Sequence, residues 1–247
     1  MNISMQKLTT LIIFKAKELS KNKTFIISLI LVPALTLGMR VLYEGMFEGE
    51  LEPELLAMVL NLGVLYNLNA ISLMMPATML AKDKEKNTLR VLMTSSVNGT
   101  EYFISSVMPS LIISIFINVL VLVISGIPIT VINVALYLLV TTIASLTSCI
   151  IGMTAGLFSK NQMSSSNLVT VIMMVLMMIP LFGGFSEQVA SVSKYLYTGI
   201  VSDMITVLAS GKTFSMDILS WGILIGFVII AAIVFISSYR KNGFDRD

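Results

Sequence analysis

Six stretches of this sequence run for about twenty residues with almost no charge, and that pattern narrows the open folds to very few. They cover residues 25–43, 55–80, 102–124, 132–154, 167–182 and 219–238. A helix rises about 1.5 Å per residue, so about 20 apolar residues cross the hydrocarbon core of a bilayer. The last stretch holds twelve Leu, Ile, Val or Phe residues, together worth at most about −4 to −7 kcal/mol on insertion. The fifth is short and ends at Pro180, with Gly183-Gly184 just beyond. Membrane-spanning strands alternate apolar and polar residues over about ten positions, whereas these runs are continuously apolar. The predicted fold is an all-α membrane protein of six transmembrane helices, forming one transmembrane domain over residues 1–247.

Composition supports lipid as the solvent. Only 12% of the 247 residues are charged and 56% are apolar, with a mean hydropathy of +0.91; soluble domains carry about a quarter of their residues as charges. The chain has no histidine and one cysteine, Cys149. That removes the usual general base, the commonest metal ligand and any Cys-rich metal site. No catalytic or metal-ligating set can be assigned, and nothing points to nucleic acid.

The basic residues orient the bundle. Lys7, Lys15, Lys17, Lys21 and Lys23 precede the first span, Lys82, Lys84, Lys86 and Arg90 follow the second, Lys160 follows the fourth, and Arg240, Lys241 and Arg246 close the chain. The opposite loops hold only Lys194 and Lys212. By the positive-inside rule both termini are cytoplasmic, in a multi-pass protein of the plasma membrane. Glu44, Glu48, Glu50, Glu52 and Glu54 then fall in the first external loop. The first apolar run exceeds the about 7–15 residues of a signal-peptide core, so no cleavage is expected.

Three segments outside the spans carry pattern. In residues 5–22, Met5, Leu8, Ile12 and Leu19 share one helical face opposite Lys17 and Lys21, which predicts an interfacial helix. It serves either as a basic anchor for lipid headgroups or as a mechanical element. Between spans two and three, Asn87 or Thr88 caps a short helix in which Leu89, Leu92 and Met93 form an apolar face. This helix either docks on a cytoplasmic partner or rests on the headgroups. Before span six, Ser186–Thr198 and Gly199–Ser210 read as two short external helices hinged near Gly199. They dip into the outer leaflet or cap the bundle.

No Asp, Glu or Lys falls inside the six cores, so no midplane group is available to couple a proton or sodium gradient. Arg40 lies near the outer end of span one and can snorkel outward. Asn61, Asn69 and Ser72 share roughly one face of span two, and Asn118 lies deep in span three. These groups line a path or bond helix to helix. Ser148, Gly152 and Gly156 recur every four residues on span four, a spacing for close backbone packing. Met173, Met174, Met177 and Met178 on span five read as lipid-facing filler or an adaptable surface. Ser210-Gly211-Lys212-Thr213 lacks the leading glycine of a phosphate loop, because Thr206 stands there. Asn98-Gly99-Thr100 matches a glycosylation sequon but falls on the cytoplasmic side.

This organisation resembles the ABC-2 type permeases, membrane subunits of type V-like ABC exporters, over essentially the whole chain. The most motif-like stretch is Asp83-Lys84-Glu85-Lys86-Asn87-Thr88-Leu89-Arg90-Val91-Leu92, with Ser95-Ser96 and Glu101 beyond. Asn87, Arg90 and Ser96 stand where the family commonly has Gly, Glu and Pro, and the proline common in the external hairpin is missing near Lys194-Tyr195-Leu196-Tyr197. The resemblance implies a permease that pairs with a second copy or a sister chain and docks on separate cytoplasmic ABC ATPase subunits. Those subunits would hold the ATP and Mg, with no cofactor in this chain. It implies that Glu85, Thr88, Leu89, Leu92 and Met93 couple the permease to the ATPase, and that drugs, lipids or peptides are exported. Asn61, Asn69 and Asn118 remain the candidates for a translocation path. The other reading is a stand-alone channel or scaffold.

Overall fold

The computed structural model describes residues 5–47, 51–94, 97–128, 130–212 and 214–241, apart from the side chains of Arg90, Met93, Thr94, Val131, Arg240 and Lys241. Glu48, Glu50, Ser95, Ser96, Thr213 and Arg246 lie outside the described residues.

Among the described residues the chain is helical, with no strand. Helix α1 (Met5–Ser20) precedes α2 (Lys23–Met46), the first span. The second span is one long rod: α3 (Pro53–Asn67), a π-helical segment (Leu68–Leu73) and α4 (Met74–Glu85). A short α5 (Thr88–Thr94) leads to α6 (Gly99–Ser125), α7 (Val131–Phe158) and α8 (Gln162–Phe182). Then come α9 (Glu187–Ser193), α10 (Tyr197–Ala209) and α11 (Ile218–Lys241). Six of these rods are long and apolar enough to cross a membrane, as the uncharged runs require.

The observed spans extend past the predicted ones at polar ends. The fifth begins five residues early: α8 starts at Gln162, where the Asn161 side chain accepts the Ser164 amide. A polar first turn carries no hydropathy signal, so it escapes a reading based on apolar runs.

Burial orders the bundle. The rod Pro53–Glu85 is 72% buried over its most apolar window, against 22% for α2, 22% for the fifth span and 17% for α11. The second span is therefore the axis, and α2, α8 and α11 turn most of their surface outward. Helix α7 packs along α4, the π segment, α6 and α11. Its Gly152 lies against the Leu73 carbonyl, and a Cβ on Gly156 would come within 2.6 Å of the Ala77 carbonyl. The spacing of Ser148, Gly152 and Gly156 thus brings two backbones together.

The hinge before span six is not at Gly199. The chain breaks at residues 194–196, and Gly199 lies inside α10 with the Ser193 carbonyl against it. Here glycine serves close approach between α9 and α10. Helix α10 is buried through Tyr197, Ile200, Val201, Met204, Ile205 and Leu208, and packs on α3.

Candidate functional site at the basic end

Alternate spans bring α1, α5, the end of α4 and the α7–α8 turn to one end of the molecule, where the basic residues gather. Helix α1 docks on α6 through its buried Lys15 and Leu19, while Met5 is exposed. The face read from Met5, Leu8, Ile12 and Leu19 turns inward except at Met5, with Leu8 and Ile12 half-buried and Leu19 buried, and a lysine joins it at Lys15. Lys15 is fully buried because it has partners: it pairs with Asp83 and, at 3.3 Å, with Glu18. The Tyr102 hydroxyl donates to the same Asp83 oxygen at 2.6 Å, and the Lys15 ammonium lies 5.4 Å from the Tyr102 ring centroid. A buried ion pair holds only when extra hydrogen bonds serve its leftover lone pairs, and Tyr102 serves one. Lys82 reaches Glu18 at 2.8 Å. Burial raises the Glu18 carboxyl, but the hydrogen bond from Lys82 and the charge of Lys15 outweigh it and hold it below the usual carboxylate value.

Helix α5 turns its apolar side inward. Leu89 is 1% exposed and packs with Leu80, Tyr102 and Met153, with Leu92 partly buried against the same cluster. Among the described side chains of α5, Val91 is exposed, at 63%. Thr88 is half-buried, and the Met93 side chain lies outside the described residues. Glu85 is exposed, and its carboxylate accepts the Gln162 amide at 3.1 Å. With Asn161, Gln162, Met163 and Ser166 it lines a shallow recess of about 400 Å³. Asn87 turns the chain into α5 with a φ of 56°, a left-handed backbone that glycine and asparagine adopt most readily. That requirement explains why glycine suits this position. At the start of α6, Asn98 and Glu101 form a reciprocal capping box, so the apparent sequon is a helix start.

A polar seam runs through the middle of the bundle. Asn67 donates to the Asn118 side chain at 2.7 Å and to the Ser114 carbonyl at 2.9 Å. The Ser114 hydroxyl meets those of Ser72 at 2.8 Å and Ser145 at 2.9 Å. Tyr137 donates to the Asn118 carbonyl at 3.0 Å, joining α7 to α6. Of the candidate path residues only Asn118 belongs to this seam. Asn69 donates to the Leu65 carbonyl of its own rod at 2.7 Å, and the buried Asn61 Oδ1 has no hydrogen-bond partner. The common face read for Asn61, Asn69 and Ser72 assumed an α-helical period. The π segment, with its i→i+5 bonds, breaks that period between Asn67 and Met74. Asn67, at the centre of the seam, was passed over in sequence; its only signal is an amide in an apolar run.

Arg40 reaches sideways and outward at once. Its guanidinium donates to the Ile124 carbonyl at 2.8 Å and to Glu44 at 2.7 Å, capping α6 just before the left-handed Gly126.

A family model described as ABC-2 family transporter protein matches residues 18–237. No curated protein matches the chain.

Proposed function

This chain belongs to the ABC-2 transporter family, and starting from its place as the membrane permease of an ABC transporter, we propose that it works as an exporter driven by ATP hydrolysed on separate cytoplasmic ATPase chains. Those chains hold the ATP and Mg. The basic end, with both termini, faces the cytoplasm of the plasma membrane, and a second permease, a copy or a sister chain, completes the path.

The observation that supports this most is the build of α5. Leu89 and Leu92 fasten the helix to the bundle, while Val91 is presented outward, as is Met163 near the start of α8. A helix held to the bundle by two leucines, with Val91 exposed, suits a partner that pushes. Of the five candidate coupling residues, Leu89 and Leu92 transmit through the bundle, and Glu85 ties α5's approach to the α7–α8 turn. The apolar spans and short loops favour amphipathic or hydrophobic cargo: peptide, lipid or drug. Asn118 acts as interhelical glue through its side-chain oxygen, yet its Nδ2, like the Asn61 Oδ1, has no hydrogen-bond partner, so both stand as candidates for a path.

The test is purification from native membranes followed by identification of what accompanies the chain. An ABC ATPase should copurify, and Val91→Asp should release it, because an apolar interface residue typically contributes about 1–2 kcal/mol and a buried charge costs more. Leu89→Asp should instead unseat α5 and lower thermal stability. A wild-type chain that purifies without any ATPase favours the stand-alone channel or scaffold.

A further inference from the structure

Four consecutive charges end the second span, and each is committed to a different neighbour. Lys82 pairs with Glu18 of α1 at 2.8 Å, and Asp83 holds Lys15 of α1 together with the Tyr102 hydroxyl of α6. Lys84 donates to the carbonyls of Leu157 and, at 2.8 Å, Ser159, where α7 ends. Glu85 accepts the Gln162 amide, where α8 begins. A charge run in a solvated loop would point its side chains to water. Here the first two residues grip α1 and the next two grip the α7–α8 turn.

Each bond has the sign its site favours. A cation at a helix C-terminus and a carboxylate at an N-terminus both complement the helix dipole, so Lys84 and Glu85 fit the two ends they meet. Lys15 and Asp83 are 0% and 2% exposed. Such a pair is a poor device for stability alone, since apolar replacements are often as stable. What it adds over apolar contact is direction, because a hydrogen-bonded pair resists sliding.

We propose that Lys82–Glu85 is a two-sided clasp, in which Asp83 and Lys84 are positioning residues that make α1 and the α7–α8 turn move as one body with α5. The inference rests on the reading of this chain as an ATPase-driven permease. Only Lys86 and Asn87 separate the clasp from α5, and the left-handed Asn87 makes that connection a tight turn. Displacement of α5 therefore reaches the clasp directly and is shared between two elements that do not follow each other in sequence.

The test uses the full chain with its ATPase in lipid nanodiscs. Nitroxide labels replace the exposed Lys17 on α1 and Lys160 in the α7–α8 turn, and pulsed EPR reads their separation without nucleotide and after ATP-vanadate trapping. Asp83→Asn alone leaves Lys15 charged and unpaired, so the variant to use is Lys15→Met with Asp83→Asn. It removes both charges and keeps an acceptor for Tyr102. Lys84→Met is the second variant, and it decides the matter should the first fail to insert. The wild type should give one narrow distribution in both states. Both variants should keep ATPase binding and thermal stability yet lose that single distribution on trapping. Variants that keep the wild-type distribution in both states overturn the clasp. A wild-type chain that recruits no ATPase overturns the functional reading instead. The clasp is then decided in the permease alone, where unchanged label distances in the variants count against it and broadened ones support it.

Discussion

Asn87 shows how much one backbone angle carries. Its φ of 56° places it in the left-handed region, where an ordinary L-residue loses about 1–2 kcal/mol and a β-branched one fares worst. Asn87→Gly should therefore leave thermal stability unchanged or slightly raised, and Asn87→Val should lower it by about 1–2 kcal/mol. Differential scanning fluorimetry in detergent reads both. Equal behaviour of the two variants would mean that the turn into α5 does not depend on this angle. Lys15 belongs to the same scale. Its partner Asp83 is 68 positions away, so no local pattern could have marked it as a buried residue, and helical spacing alone placed Met5 on the inner face instead. The capping pair Asn98 and Glu101, three apart, is the kind of local signal a sequence does display, although a reading by motif finds at Asn98 only a sequon on the wrong side of the membrane.

At the scale of elements, six spans were legible because lipid demands unbroken apolar runs, and the small residues of α7 were legible because backbone approach demands them. The π segment was not. Nothing in Leu68-Asn69-Ala70-Ile71-Ser72-Leu73 separates it from an α-helix by composition. Its effect is to regroup the polar residues of the second span, so that Asn67 and Ser72 join Ser114 while Asn69 turns back on its own rod. The Leu73 carbonyl of that segment abuts Gly152. Gly152→Ala should push α7 off the second span and cost about 1–3 kcal/mol, the usual range for overpacking. Gly222→Ala in α11 meets nothing within 4 Å and should cost nothing, as a matched control in thermal unfolding. A Gly152→Ala variant as stable as the control would show that the two rods do not pack as closely as described.

The whole molecule joins a polar middle to a charged end, and the two are built differently. The middle is uncharged, held by amides and hydroxyls between α3, the π segment, α6 and α7. The basic end concentrates buried charge at the root of α5. Family membership was legible from organisation, since spans, charged loop and paired short helices follow from hydropathy and charge alone. How the charged loop is used was not, because its partners lie on α1, α6, α7 and α8. In this account the energy for transport enters from another chain at the basic end, and the uncharged middle draws nothing from ion gradients. The most direct test is transport in proteoliposomes of the chain with and without its ATPase, using a dansylated amphipathic peptide as cargo. Accumulation above equilibrium is expected only with ATP and with the ATPase's catalytic glutamate intact. Accumulation by the isolated chain, powered by a proton or sodium gradient with no ATPase present, would contradict it.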